Sequence, residues 1–142
     1  MHWLLLSYRV PREPTAGRVF AWRKLKALGA VSLQDASWIL PDTPRNQEQL
    51  QWLSNEIQER GGEAILFRAD EVLMGDEPAL VEQFVSPVRE AYSTILADLK
   101  RRKPDLATLS KRYQEVVSRD YFHCPLREQV RDKLLSAERG SS

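Results

Sequence analysis

The sequence is poor in the side chains that bind soft metals or form disulfides, with one cysteine and two histidines among 142 residues. Cys124 has no partner for a disulfide within the chain, which is typical of proteins from a reducing compartment. A structural zinc site needs four Cys or His ligands, and Cys124, His2 and His123 supply only three. A dithiol redox centre is excluded for lack of a second thiol. We expect no metal site and no cofactor.

Long apolar runs are absent as well. The longest, such as Trp3–Leu6, are far shorter than the roughly 20 residues that a membrane helix requires. The start of the sequence has no basic region and no small-residue cleavage site, so we expect no secretory signal. A hydrophobic content of 42% and a charged content of 29% are typical of globular proteins. These features predict a single cytoplasmic domain over residues 1–140, without membrane attachment.

Charge is nearly balanced overall but unevenly distributed. The formal net charge is +1, yet residues 1–41 carry +4, residues 42–99 carry −8 and residues 100–142 carry +5. Such blocks can form patches that attract a polyanion, or they can neutralise one another within the fold. The sequence leaves both alternatives open.

The first elements follow from short apolar patterns. The run His2–Val10, ended by Pro11, predicts a central strand that is buried on both faces. From Arg18 a helical pattern follows, and Gly29 is its stop signal. The apolar stripe of this helix is predicted to contain Ala21, Trp22, Leu25 and Leu28.

The next two strands are predicted to form a hairpin. Val31–Gln34 and Ser37–Leu40 are short β-like runs joined by a polar turn at Asp35. After them, Thr43 supplies an N-cap and Pro44 a first helical residue.

That second helix is predicted to run to the stop at Gly61 and Gly62, and Glu63–Phe67 to form another buried strand. The order β-α-β-β-α-β over residues 2–67 indicates a ferredoxin-like α+β unit. Its sheet would be antiparallel, with two helices on one face and other material covering the second face.

The remainder is predicted to be helical. Apolar residues at helical spacing favour about three helices over residues 76–138. Ser86-Pro87 indicates either a kink or a fresh helix start. The fold class is therefore α+β, with a ferredoxin-like part over residues 2–70 and a helical part over residues 76–138.

Arginines flank the end of the first predicted strand. Arg9, Arg12 and Arg18 lie in or beside a loop bounded by prolines, and guanidinium groups bind phosphate or another tetrahedral oxyanion, such as chromate, bidentately. Alternatively, they pair with Glu13, Asp35 or acids of the middle segment.

Three further features have a functional and a structural interpretation. The basic run Lys100–Lys103 is either a solvated helix terminus or a nucleic-acid contact without base readout. Trp52, off the apolar stripe of its helix, either anchors a partner or is covered by the C-terminal helices. Neighbouring His123 and Cys124 are expected to pack structurally rather than act as base and nucleophile.

Several stretches together resemble the N-terminal domain of the ChrB chromate-resistance proteins. The resemblance covers nearly the whole chain and rests on Trp3–Pro14, Arg18, Trp22–Ala30, Leu33-Gln34-Asp35, Leu40-Pro41 and Lys103–Leu106. It implies a bacterial regulator of a chromate efflux transporter. Members of this family usually continue into a second, C-terminal domain, so the place of effector sensing stays open.

A looser resemblance links the chain to PaaX repressors and to CRISPR-associated ferredoxin-like nucleases. Those nucleases have an acidic residue at the end of the first strand, where paired copies hold a divalent metal. Arg9 occupies that place here, and a cation cannot serve as a carboxylate ligand. We therefore expect no catalytic residue and no enzyme activity, with a metal-dependent nuclease as the least favoured hypothesis.

Two hypotheses remain. In the first, the chain is a regulatory domain that acts as a homo-oligomer and contributes to promoter DNA binding, with chromate or another oxyanion as a further ligand. Its nucleic-acid or anion contacts would be Arg9, Arg12, Arg18, Arg23, Lys24, Lys26, Lys100, Arg101, Arg102 and Lys103. In the second, the chain is a non-catalytic interaction or oligomerisation module.

Overall fold

The computed structural model describes residues 1–34 and 36–140. Asp35, the predicted hairpin turn and a possible arginine partner, lies outside the described residues. The elements are β1 (Trp3–Arg9), α1 (Ala16–Leu28), β2 (Val31–Gln34), β3 (Ser37–Pro41), α2 (Pro44–Glu59), β4 (Glu63–Ala69), α3 (Glu77–Leu99), α4 (Leu106–Ser118) and α5 (Leu126–Gly140). This order confirms the predicted α+β class with a helical C-terminal segment.

The chain forms two compact units, Met1–Glu77 and Pro78–Ser142. In the first, the four strands form one antiparallel sheet in the order β2-β3-β1-β4, the ferredoxin-like arrangement. β1 is central, as predicted, because it pairs with β3 on one side and β4 on the other.

Local signals explain where the helices of the first unit begin and end. The Thr43 side chain accepts a hydrogen bond from the Asn46 amide at 3.1 Å, and Pro44 is the first residue of α2. Gly29 ends α1 with a left-handed backbone (φ 79°), a conformation that costs glycine little. Leu50, Leu53 and Ile57 are fully buried along the inner face of α2.

Trp22 does not belong to the buried stripe of α1, so that part of the prediction is wrong. The buried positions are Gly17, Ala21, Leu25 and Leu28, which recur every three or four residues. Trp22 follows Ala21 by one residue, about 100° further round the helix, and its side chain is 51% exposed.

The prediction of a buried fourth strand is also wrong. β4 is an edge strand, and Ile65 and Phe67 are 59% and 49% exposed. The two lie on one face of the sheet, since side chains alternate along a strand. They align with Ser7 and Leu5 of β1, on the opposite face from the buried residues Leu4 and Leu6. Cover over this second face, expected from the sequence, is therefore incomplete at β4.

The second unit is built from the three helices α3, α4 and α5. Its core contains Val88, Tyr92 and Ile95 of α3, and the other members are Leu109, Tyr113, Val116, Cys124, Val130 and Leu134. α3 continues through Pro87, so a fresh helix start at this residue is excluded. No helix in the described part of the chain is both long and apolar enough to cross a membrane.

Candidate anion-binding cavity

The three arginines singled out in the sequence line one cavity in the first unit. The cavity has a volume of about 810 Å³, and its lining includes Arg9, Arg12 and Arg18 together with the aromatic residues Tyr8, Trp22 and Trp38. We call it the arginine cavity. It lies where the end of β1, the loop after it and the first turns of α1 meet β3.

Each arginine reaches the cavity from a different local structure. Arg9 is the last residue of β1, Arg12 lies in the loop after Pro11, and Arg18 lies in the first turn of α1. Gly62 permits a close approach at the end of β1, because a Cβ at this position would collide with the Arg9 carbonyl oxygen and with Ile57. No sequence pattern marked Gly62 for this role, since only the tertiary structure places it against Arg9.

The arginines differ in their partners. Arg9 Nη2 donates to Glu63 Oε2 at 2.7 Å, as the hypothesis of pairing with the middle segment predicts. Both side chains are more than 70% exposed, and such pairs contribute only about 0–1 kcal/mol. Among the described residues, neither Arg12 nor Arg18 has an acidic group within ion-pair distance.

Tyr8 and Trp38 bring polar atoms to the same cavity. Burial raises the pKa of Tyr8, while Trp38 and the charge of Arg18 act in the opposite direction. The Tyr8 hydroxyl therefore remains a hydrogen-bond donor at neutral pH. Trp38 Nε1 is buried, and within residues 1–34 and 36–140 no acceptor meets hydrogen-bond geometry with it, although the indole lies near enough to Tyr8 to affect its titration.

The remaining basic candidates of α1 point to different surroundings. Lys24 Nζ donates to Gln49 Oε1 at 2.6 Å and lies 5.1 Å from the centroid of the Trp52 ring. Lys26 Nζ lies 5.9 Å from the Trp22 ring centroid. In the described part of the chain, Arg23 is exposed and has no ion pair.

Trp52 packs differently from either prediction. It is 45% exposed and its ring lies 5.8 Å from the ring of Phe20 on α1, so a cover formed by the C-terminal helices is excluded for nearly half of its surface. Arg60 lies 4.2 Å above the other member of this pair, Phe20. The sequence gave no signal for this cluster because α1 and α2 meet only in the folded unit.

The basic run Lys100–Lys103 belongs to the second unit and follows the end of α3 at Leu99. Arg101 pairs with Asp98 at 3.5 Å. The other three cations, Lys100, Arg102 and Lys103, have no acidic partner among the described residues. They are exposed, so this run forms a cationic surface of its own.

His123 and Cys124 lie in a junction organised by a buried carboxylate. Cys124 is 5% exposed, and its backbone amide donates to Asp120 Oδ1 at 3.0 Å. Asp120 also accepts from the Tyr92 hydroxyl and from Arg127 Nε, each at 2.9 Å. His123 is exposed, with a positive φ of 50°. Elsewhere as here, no group of three His, Cys or acidic side chains in the described part is placed to hold a metal ion.

Comparison with known proteins identifies one family. The family described as "Protein ChrB, N-terminal" matches residues 18–108, which is more than half of the chain. Protein ChrB of Cupriavidus metallidurans (strain CH34) is 37% identical over 60 residues, a span that covers 42% of this chain and 18% of the relative. The aligned part is thus a small fraction of that relative's length, and no solved structure matches.

The family match begins at Arg18, one of the residues that line the arginine cavity, and ends within α4. The chain belongs to the ChrB N-terminal family.

Proposed function

We propose that the chain is a non-catalytic regulatory domain of a chromate-resistance system that contributes to DNA binding and control of a chromate efflux operon. Family membership and the printed name of its relative support the pathway. The observation that supports DNA binding is the set of cations near the start of the chain that lack acidic partners. A cytoplasmic location follows from this role.

Arg12, Arg18 and Arg23 carry this argument. Twelve acids in residues 42–99 were available to neutralise the first block. In the folded first unit they pair with Arg9 and Arg68, but within the described residues none pairs with Arg12, Arg18 or Arg23. Unpaired guanidinium groups at neighbouring positions suit the phosphate backbone of DNA, which they bind with a strong dependence on salt.

The cationic surface Lys100–Lys103 is a second candidate contact. It offers charge without a defined path to base edges, so it would add affinity but no sequence preference. No cofactor takes part in this proposal.

Fluorescence anisotropy with a labelled duplex from the promoter region, measured across a salt series, tests DNA binding. Arg12→Ala and Arg23→Ala are each expected to weaken binding and to lower the slope of log affinity against log salt by about 1. Arg131→Ala is the matched control, because Arg131 already pairs with Glu128 at 2.8 Å. Affinity no higher than that of an acidic control protein overturns the proposal.

The same cavity supports chromate or another oxyanion as an effector. Arg12 and Arg18 supply charge-assisted donors, and chromate is a tetrahedral dianion like phosphate in shape. Equilibrium dialysis with chromate, and with sulfate as competitor, tests this ligand. Retention that is unchanged in Arg18→Ala contradicts a role for the cavity.

Homo-oligomerisation is the second candidate function, because β4 presents Ile65 and Phe67 at the edge of the sheet. An exposed edge strand with apolar side chains is a template for pairing with another copy. Light scattering should then show an oligomer that Phe67→Lys weakens, whereas Leu73→Lys, at an 83% exposed position between β4 and α3, leaves it intact. A salt-sensitive oligomer without DNA affinity favours this function over the first.

A further inference from the structure

We propose that the arginine cavity is a binding site for a nucleoside monophosphate, with the phosphate on Arg12 and Arg18 and the base against Trp22. The proposal goes beyond duplex DNA binding, because the bases of an intact duplex are stacked and paired and cannot enter a cavity. It shares Arg12 and Arg18 with the proposed DNA contact but does not depend on that contact.

The size of the cavity points to a ligand larger than a single oxyanion. Its volume of about 810 Å³ lies within the range of roughly 300–1,000 Å³ that small-molecule sites occupy. At about 30 Å³ per molecule it corresponds to roughly 27 waters. A tetrahedral oxyanion has five heavy atoms and would leave most of this space to solvent, whereas a mononucleotide would fill a large part of it.

One side of the cavity is suited to a phosphate. Arg12 and Arg18 have no acidic partner within the described residues, so their guanidinium groups are available as bidentate donors. Thr15 also lines the cavity and precedes the 13-residue helix α1. Its side chain makes no capping hydrogen bond, and the first turn contains no acidic residue. The positive end of α1 therefore adds unsatisfied backbone donors beside the two arginines.

The other side of the cavity is suited to a flat ring. Trp22 is 51% exposed, although indole rings of this size contribute most when they are covered. Lys26 lies over one face of this ring, which leaves the second face for a ligand. Tyr8 and the buried Trp38 complete an aromatic wall. Stacking tolerates any base, since every base has a π face.

Isothermal titration of the whole chain with adenosine 5′-monophosphate tests the proposal. We expect saturable binding with one site, at least about tenfold tighter than for inorganic phosphate or for adenosine alone, because each of these fills only one half of the cavity. Trp22→Ala and Arg18→Ala should each weaken binding at least about fivefold. Both side chains are exposed, and unchanged circular dichroism and thermal midpoints will show that the variants fold.

Arg23→Ala is the matched control. Arg23 is a cation on the same helix that does not line the cavity, so this variant should bind the nucleotide within about twofold of the original chain while losing duplex affinity. Loss of duplex binding with intact nucleotide binding therefore separates the two proposals, as does the reverse result.

A single-stranded thymidine oligomer distinguishes free nucleotides from nucleotides within a strand. Competition that depends on Trp22 shows that the site accepts a nucleotide of a strand, and its absence shows that the site takes the free molecule. Equal affinity for phosphate and nucleotide would identify a simple oxyanion site and overturn the proposal. So would the absence of nucleotide binding at about 5 mM, which exceeds the usual range of small-molecule affinities.

Discussion

Asp120 shows how one buried charge can organise a junction between helices. Its side chain is 3% exposed and accepts hydrogen bonds from Tyr92, the Cys124 amide and Arg127. Burial raises the pKa of Tyr92, and the Asp120 carboxylate raises it further. Burial opposes the charge of Arg127, but Asp120 outweighs this effect and raises the pKa of Arg127. The carboxylate thus holds groups from α3, α5 and the junction in one network.

Asp120→Asn is therefore expected to destabilise the chain by about 3 kcal/mol, because it removes the negative partner of a largely buried Arg127. Urea unfolding followed by circular dichroism measures the change. Asp132→Asn is the control, since Asp132 is 70% exposed and its substitution should cost less than about 0.5 kcal/mol. Equal losses in the two variants would contradict the role assigned to Asp120.

Asp105 links stability to acid at a single residue. Its carboxylate accepts from the Thr108 hydroxyl at 2.7 Å and from the Thr108 amide at 3.2 Å, and these bonds lower the pKa of Asp105. A lowered folded-state pKa means that the stabilisation is complete above the unfolded value of about 3.9 and is lost as the pH falls through the folded value.

Asp105→Asn keeps a capping oxygen but cannot titrate, so it should flatten the decline of the urea midpoint below about pH 4. Urea midpoints at descending pH measure this for both chains. Glu90→Gln, on the exposed side of α3, should leave the decline as it is. A decline in Asp105→Asn as steep as in the original chain would show that the cap does not titrate with folding.

At the scale of elements, two threonines precede helices but differ in what they do. The Thr43 hydroxyl accepts from the Asn46 amide at the start of α2, whereas Thr15 makes no side-chain cap for α1. Thr15 has helical backbone angles (φ −64°, ψ −18°), which do not suit an N-cap.

Thr43→Ala is expected to cost about 1 kcal/mol of stability, since one amide of α2 loses its acceptor. Thr15→Ala is the matched control and should change stability by less than about 0.5 kcal/mol, because it removes no hydrogen bond. Thermal and urea unfolding of both variants measures the difference. Comparable losses would mean that the difference in capping has no energetic consequence.

Sequence patterns predicted elements better than they predicted burial. Caps and stops such as Thr43 and Gly29 are local, so the order and type of the elements were confirmed. The exposure of Trp22, and of Ile65 and Phe67 on β4, depends on which neighbours arrive from distant segments. Likewise, apolar residues on β4 fit either a buried or an edge strand, and only the strand order distinguishes them.

At the scale of the whole molecule, charge is the property with the widest consequence. Two basic blocks flank an acidic one, and each unit keeps cations without acidic partners in its described part. The net charge of +1 gives no indication of this arrangement.

Replacing Lys100, Arg102 and Lys103 together by alanine should lower the salt dependence of DNA binding by at most about three contacts. Anisotropy titrations at several salt concentrations measure the slope. Lys111→Ala, another exposed cation of the second unit, is the single-charge comparison. An unchanged slope in the triple variant would exclude this surface from the DNA contact and leave the first unit as the site.

The sequence by itself determined the composition limits, the order of strands and helices, and the family, because these depend on residue types and on spacing within short segments. Only the tertiary structure decided that Arg9, Arg12 and Arg18 surround one cavity with Tyr8, Trp22 and Trp38. It also decided that Glu63 pairs with Arg9, while no acid in the described residues pairs with Arg12 or Arg18. Such partnerships depend on distances between segments far apart in the chain, which residue spacing does not encode.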